Sequence, residues 1–546
     1  MKITNNPLRG KNWILIVILL FAAILRLWNL GSIPPHLTPD EASLGYNAYS
    51  ILKTGRDEYS KFLPIIFKSF GDYKPGLYVY LTVPSVAVFG LTEFAVRFPS
   101  ALAGVLSVYL IYLIIRSLFT DHRSLATISA FVASVMPWLI YFSRGAWEVN
   151  LSLALTLAGV YFFLKSFEDS KHIILSILFF ALTLIAYQGA KLSTGIVALI
   201  LLVVYWKDFW RIEKRHLVSA TLLGLIIILP IILSIFRGQA GRLEVFSVFS
   251  YPRPVEYLQK FLDQGKENVG TLGYYLFHSE NLNFARGILG RYFNHFSGRF
   301  LFFEGDFANP RHSAPNSGML LLADLVTLLL GCLVIFKNKL QKGHLFILLW
   351  LVLGPLPAVL SRDQVHAIRA MNMAVPLVVI IAFGYSKIKK WYLAFTFLAF
   401  IYFLDSYFIH VPNHDSRLWE YGYKQIVETV TPIQGNYKTV KVQQSFAQPY
   451  IYFLFYQKYD PAKYQKAASL ATADSINDVG YVLKLDNIEF APIDWSVNRG
   501  ESGTLFVADS IRIPSEDSKD MNQFNVISEI KYLNGRDIAF RIVEIK

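Results

Sequence analysis

Apolar residues fall in blocks of about 16 to 22 along this chain, long enough to cross a hydrocarbon core of roughly 30 Å. The blocks run Trp13–Leu30, Arg97–Leu118, Leu125–Phe142, Val149–Leu164, Ile173–Tyr187, Leu192–Trp206, Leu217–Phe236, Gly318–Phe336, Leu345–Leu360, Met371–Tyr385 and Trp391–Ile409. They predict about 11 transmembrane helices. A further block, Leu77–Leu91 ("LYVYLTVPSVAVFGL"), is shorter and has Pro84 at its centre. That suits an interfacial or re-entrant helix. Beyond His410 the pattern changes. "KTVKVQ", "GYVLKL", "TLFVAD" and "IAFRIVEI" read as strands, and "AQPYIYFLFYQKY" as an amphipathic helix between them. The expected fold is an α-helical polytopic membrane protein over residues 1–409, with juxtamembrane helices, followed by a separate soluble α/β domain over 410–546.

Composition agrees. Of 546 residues, 54% are hydrophobic and 17% charged, with a mean hydropathy of +0.40. The net charge of +13 points to cytoplasmic loops of a membrane protein before nucleic acid, and no nucleic-acid partner is expected. A single cysteine, Cys332, excludes an intrachain disulfide and a thiolate metal cluster. The first block lacks a small-residue cleavage site and ends in "RLWNLG", so it reads as a retained helix.

Charge sets the expected orientation. With the N-terminus inside and Leu77–Leu91 not crossing, the inner segments hold Lys2, Arg9 and Lys11, then Arg116 and Arg123, Lys165 and Lys171, Lys207 to Arg215, Lys337 to Lys342, and Lys387 to Lys390. The short outer loops hold only Arg144, Lys191, Arg362 and Arg369. A crossing by Leu77–Leu91 would reverse that bias. The first loop, the segment Arg237–Ser317 and the tail therefore lie outside a plasma membrane, with the N-terminus cytoplasmic.

Within the first loop, "HLTPDEASLGYNAYSIL" carries Asp40 and Glu41. Thr38-Pro39-Asp40-Glu41 fits a capping box, with Pro39 at the first helical position. The box uses Thr38 and Glu41 and leaves Asp40 to point elsewhere. The outer loops supply it with company: Tyr46, Asp72 and Lys74; Arg144 and Glu148; Gln188 and Lys191; Asp306, Arg311 and His312; Arg362, His366 and Arg369. A few acids among several cations suit transfer from a lipid phosphate. The phosphate is a good leaving group that cations hold, and one carboxylate can serve the attacking hydroxyl as base. Glycoside hydrolysis would need two carboxyls flanking the bond.

The motif "TPDEASLGYNAYSIL" resembles the acidic first-loop motif of GT-C glycosyltransferases, nearest to the protein O-mannosyltransferase and aminoarabinose-transferase group. "YKPGLYVYL" is similar to their Lys-Pro-x-Leu-Tyr element, and "AVRFPSALAGVLSVYLIYLI" to the Arg-x-x-Ser start of their second span. "FEGDFANPRHSAPNSGML" and "LSRDQVHAIRAMN" are similar to elements of bacterial members. The resemblance runs in order over about residues 13–380. It implies a polyprenyl-phosphate sugar donor, Asp40 as base or acceptor-positioning residue, and Lys74 on the donor phosphate. Many members carry an aspartate where this chain has Glu148.

The expected sites are thus Asp40 and Glu41 as catalytic groups. Lys74, Arg144, Arg362, His366 and Arg369 are expected on the donor phosphate. Tyr46, Asp72, Glu148, Gln188, Lys191, Asp306, Arg311 and His312 are expected on substrate. Two other readings remain: a transporter or flippase of lipid-linked sugars, and an outer-face glycan polymerase or ligase. A transporter would place charges inside the spans, which are nearly free of acids apart from Asp324 and Asp405. Asp40 and Glu41 could hold a divalent cation, but no His/acid cluster shows ligand spacing. In "HVPNH", Pro412 is expected to prevent a helical pairing of His410 with His414. Neither the sugar nor the acceptor is legible.

Overall fold

The computed structural model describes residues 12–120, 122–236, 247–337, 339–445, 447–467, 470–471, 480–517, 520 and 522–546. Lys2, Arg9, Lys11 and the start of the Arg237–Ser317 segment lie outside the described residues.

Five described helices are long and apolar enough to cross a membrane: Glu93–Leu118, Glu148–Lys165, Lys214–Ser234, Lys342–Val359 and Tyr392–Asp415. A pair bent by 57°, Ser124–Val135 and Pro137–Ser143, makes a sixth if it counts as one span. Shorter apolar helices cover Trp13–Leu27, Leu77–Phe89, His172–Leu184, Ala190–Val204 and Met371–Tyr385. The expected count of about 11 full spans is therefore met by length only in five or six cases. Apolar pattern marks what is shielded from water, not where a helix breaks. Pro137 cannot continue the preceding ladder, so the chain bends there. The Gly318–Phe336 block becomes helical only at Asp324. Its first residues run through bends and a turn, Met319 and Leu320 N–H donating to the carbonyls of Phe300 and Leu301 at 3.2 and 2.8 Å.

Leu77–Phe89 has 13 residues and rises only about 20 Å. Tyr78 Oη donates to the Val96 carbonyl at 2.9 Å and Ser85 Oγ to that of Ala95 at 2.6 Å, which fastens this helix along the start of Glu93–Leu118. Before it comes an antiparallel hairpin, Ile66–Ser69 with Asp72–Pro75, in register from Ile66 opposite Pro75 to Ser69 opposite Asp72. Its two-residue turn has Phe70 at φ 53° and Gly71 at φ 83°, a turn whose twist matches that of the strands.

The tail folds around a six-stranded mixed sheet. In spatial order its strands are Lys484–Leu485, Ile488–Ala491, Thr439–Gln443, Thr504–Asp509, Ile538–Ile545 and Phe524–Lys531. Thr439–Gln443 pairs in parallel with both neighbours, and the remaining ladders are antiparallel. Alternation splits the sheet into two faces. Phe506, Ala508, Val543 and Ile545 pack with Trp495 on one side. Leu505, Val507 and Ile542 face a cluster that also contains Leu37, Ala42, Tyr46, Tyr78 and Val96 of the first loop and its flanking helices. Between them runs Pro449–Tyr456, buried from Pro449 to Phe455. It is enclosed on every face, where an amphipathic helix was expected. The tail and the first loop thus share one hydrophobic core. The Tyr392–Asp415 helix carries through Pro412, and the rings of His410 and His414 lie 5.4 Å apart. The expected obstruction does not occur, because a proline near the start of the Val411–Asp415 turn lacks only an N–H that needs no helical partner.

Candidate active site

The helix Pro39–Thr54 opens on the acidic pair. Thr38 Oγ1 accepts from Glu41 N–H at 3.2 Å, and Glu41 Oε2 accepts from Thr38 N–H at 3.0 Å. This is the capping box that the sequence predicts. Glu41 does more. Arg97 donates from Nε to Oε1 at 2.9 Å and from Nη2 to Oε2 at 3.2 Å, and Ala146 N–H donates to Oε1 at 2.8 Å. Arg97, fully buried, also donates to the carbonyls of Leu30, Pro34 and His36. Glu41 therefore clamps the acidic helix to the Glu93–Leu118 helix and to the turn before Glu148. Both its oxygens are engaged in these bonds, and the residue also borders the cavity that Asp40 faces.

Asp40 points the other way. Its side chain is 61% exposed and forms an ion pair with Lys74, which the hairpin delivers from its second strand. Gln188 Nε2 donates to the Tyr73 carbonyl and fastens that strand to the membrane helices. Burial pulls the Lys74 ammonium down, but Asp40, Glu148 and Asp72 outweigh it, and its pKa ends above the ordinary lysine value.

This ion pair opens into a cavity of about 2190 Å³. Asp40, Asp72, Lys74, Glu148, Gln188, Lys191, Arg311, His312, Arg362, His366 and Arg369 all line it. Three expected residues do not. Arg144 is buried and donates to the carbonyls of Leu25, Trp28 and Ile33 and to Tyr407 Oη, which ties these segments together. Tyr46 is buried with its hydroxyl on the Tyr459 carbonyl at 3.2 Å. Asp306 sits behind the wall. Its Oδ2 accepts from His312 Nδ1 at 3.0 Å and Ala367 N–H at 2.7 Å, and its Oδ1 from the backbone and side chain of Asn309. It orients His312.

Two histidines share that wall, the rings of His312 and His366 lying 5.1 Å apart. Burial depresses both below the usual histidine value. Asp306 opposes this at His312, while Arg369 reinforces it at both. Asp306, His312 and His366 are also the group among the described residues whose ligand atoms converge, within 4.8 Å of one another. With Asp306 saturated, a metal there would rest on imidazole nitrogens, and Asp306 would hold His312 in place. Sequence reading found no such cluster, because His366 joins it from a loop far along the chain. It also missed Arg97, Asp363, which pairs with Arg369 at 3.1 Å, and Trp147, whose ring meets His312 edge-on at 5.6 Å. An arginine one turn inside an apolar span was the one available signal, since a charge there needs a buried partner.

The architecture resembles that of GT-C glycosyltransferases. Residues 73–233 match the family model of dolichyl-phosphate-mannose-protein mannosyltransferases. The structure of ArnT from Cupriavidus metallidurans bound to undecaprenyl phosphate is similar over 98% of both chains, with a TM-score of 0.55 and 11% identity. An Archaeoglobus fulgidus oligosaccharyltransferase aligns over 81% of this chain and 61% of its own, with a TM-score of 0.48 and 13% identity. The arabinofuranosyltransferase AftD from Mycobacteria aligns over 98% and 41%, with a TM-score of 0.44 and 12% identity. No curated protein matches the chain by sequence.

Proposed function

We propose that this protein moves a sugar from a polyprenyl-phosphate donor to an acceptor hydroxyl at the outer face of the plasma membrane. The observation that carries the reading is the Asp40–Lys74 ion pair in a large cavity whose lining interleaves lysines and arginines with acids. Undecaprenyl phosphate in the ArnT structure of similar fold supports a lipid-phosphate donor.

The donor phosphate competes with Asp40 for Lys74. Once Lys74, with Arg369 and Arg362 nearby, turns to the phosphate, the Asp40 carboxylate is released to accept a proton. The acceptor oxygen attacks the anomeric carbon, the bond from that carbon to the phosphate oxygen breaks, and the electron pair leaves on the phosphate. The hydroxyl proton passes to Asp40 Oδ. The cations meet charge as it develops on the leaving group, and no second carboxyl has to protonate it. Donor binding thereby precedes base activation.

Incubating the purified protein with a panel of polyprenyl-phosphate sugars and following lipid and acceptor products by mass spectrometry tests this. Release of free polyprenyl phosphate with a glycosylated acceptor is the expected result. Transbilayer movement of intact donor in vesicles, without cleavage, would instead support a flippase.

A further inference from the structure

The cavity is two to seven times larger than an ordinary small-molecule pocket of about 300–1,000 Å³, and its two walls differ in chemistry. The membrane-helix wall sets Lys74, Lys191, Arg311, Arg362 and Arg369 among Asp40, Glu41, Asp72, Glu148 and Asp363. The opposite wall belongs to the tail, and its charges largely answer one another. Asp509 pairs with Arg512, Asp537 accepts from Asn534 Nδ2 at 2.8 Å, and Arg541 donates to Glu529 at 2.7 Å. Arg417 and Arg536 face the same space with Glu420, and the rest of the wall is amide, hydroxyl and phenol. Tyr423 and Ser445 share a hydrogen bond of 2.9 Å, with Gln443, Tyr532 and Gln448 beside them. Gln448 is 2% exposed, and its Oε1 has no hydrogen-bond partner among the described residues. Its backbone is held at φ 54°, left-handed for a residue that is not glycine. A buried amide oxygen left without a donor is costly, and so is that backbone. Both fit a position built to receive a group that donates.

We infer that the tail wall is the acceptor subsite, and that it takes an uncharged, polyhydroxylated acceptor, a glycan, with Gln448 and Ser445 reading its hydroxyls. This inference rests on the transferase reading above. A sugar hydroxyl both donates and accepts, so one ligand group can satisfy Gln448 Oε1 and the Ser445 hydroxyl alike. A phosphorylated or carboxylated acceptor would find no excess of positive charge on this wall. The division also explains the size: lipid phosphate on one side, acceptor on the other, with Asp40 lying between the phosphate-holding Lys74 and the incoming hydroxyl.

The test uses the full-length protein in detergent, an undecaprenyl-phosphate hexose as donor, and three acceptors: a neutral oligosaccharide mixture, a Ser/Thr-rich peptide and an acidic glycolipid. Binding of undecaprenyl phosphate alone is measured alongside. Transfer to the oligosaccharides is expected. Gln448→Leu and Ser445→Ala should each raise the oligosaccharide KM about five- to tenfold, the loss of one hydrogen bond, while undecaprenyl phosphate binds unchanged. Unchanged binding also certifies that the variants are folded. Transfer only to the peptide or the acidic glycolipid overturns this inference and leaves the transferase reading intact. So do variants whose oligosaccharide KM does not move. Failure of the wild-type protein to bind undecaprenyl phosphate overturns both.

Discussion

Asp40 and Glu41 are neighbours in sequence with opposite fates, and the difference is testable. Asp40→Asn keeps shape and hydrogen bonding but removes the base, so kcat should fall by roughly 10²–10⁴-fold with donor binding retained. Lys74→Ala should chiefly weaken donor engagement, seen as a raised donor KM. Thr38→Ala should lower stability by about 1 kcal/mol as a lost cap. From the capping box alone, Glu41→Gln looks mild, because glutamine can serve in it. The structure reverses that ranking. Glu41→Gln leaves the guanidinium of Arg97 buried without its countercharge, an effect of about 3–5 kcal/mol, so its thermal midpoint should fall below that of Thr38→Ala. An equal or higher midpoint would show that Arg97 is satisfied by its three carbonyls alone. The capping box was legible because all its atoms lie within four residues. The ion pair was not, because Arg97 stands 56 residues away and only the packed fold brings it in.

At the scale of elements, the seam between the first loop and the tail carries a buried acid. Glu58 accepts from Asn47 Nδ2 through Oε1 at 3.1 Å, with the Tyr450 hydroxyl beside it. Burial raises its pKa from 4.5 to about 8, with Asp57 adding to the shift and Asn47 and Lys74 opposing it. The folded chain thus keeps a proton that the unfolded chain releases between pH 4.5 and about 8. Stability contributed at this position is highest at low pH and declines across that window. Glu58→Gln, uncharged throughout, should flatten the decline, read as thermal midpoint against pH in detergent. A wild-type midpoint that does not fall relative to Glu58→Gln would mean that the seam admits enough water to solvate the carboxylate. Elements themselves were read with uneven success. Strands Thr439–Gln443, Thr504–Asp509 and Ile538–Ile545 follow their alternation. Phe524–Lys531 was missed, since its outer face is exposed at Val526 and Ile527 and shows no clean period of two.

For the whole molecule, the orientation argued from loop charge places the cavity and the tail outside. A cysteine introduced at Glu93 in a Cys332→Ser background should react with an impermeant thiol reagent from outside, and a C-terminal alkaline phosphatase fusion should be active. Protection at Glu93 with labelling near Lys207 would invert the topology. The outward gathering of most candidate residues around one cavity could be anticipated from topology, because loops on one face have few places to go. The two-walled nature of that cavity could not, because the tail has no motif announcing what it packs on.

Tyr46 reaches the carbonyl of Tyr459, 413 residues downstream. A ribosome adding about 5–20 residues per second completes the tail roughly 20–80 s after the first loop emerges. During that interval Leu37, Tyr46, Tyr78 and Val96 pack on one another and on neighbouring N-terminal helices but lack the cover that the tail supplies. Biogenesis must therefore hold an apolar, half-built surface in water for the better part of a minute. Nascent chains released before residue 449 should be degraded or bound by chaperones, however well their membrane helices are inserted.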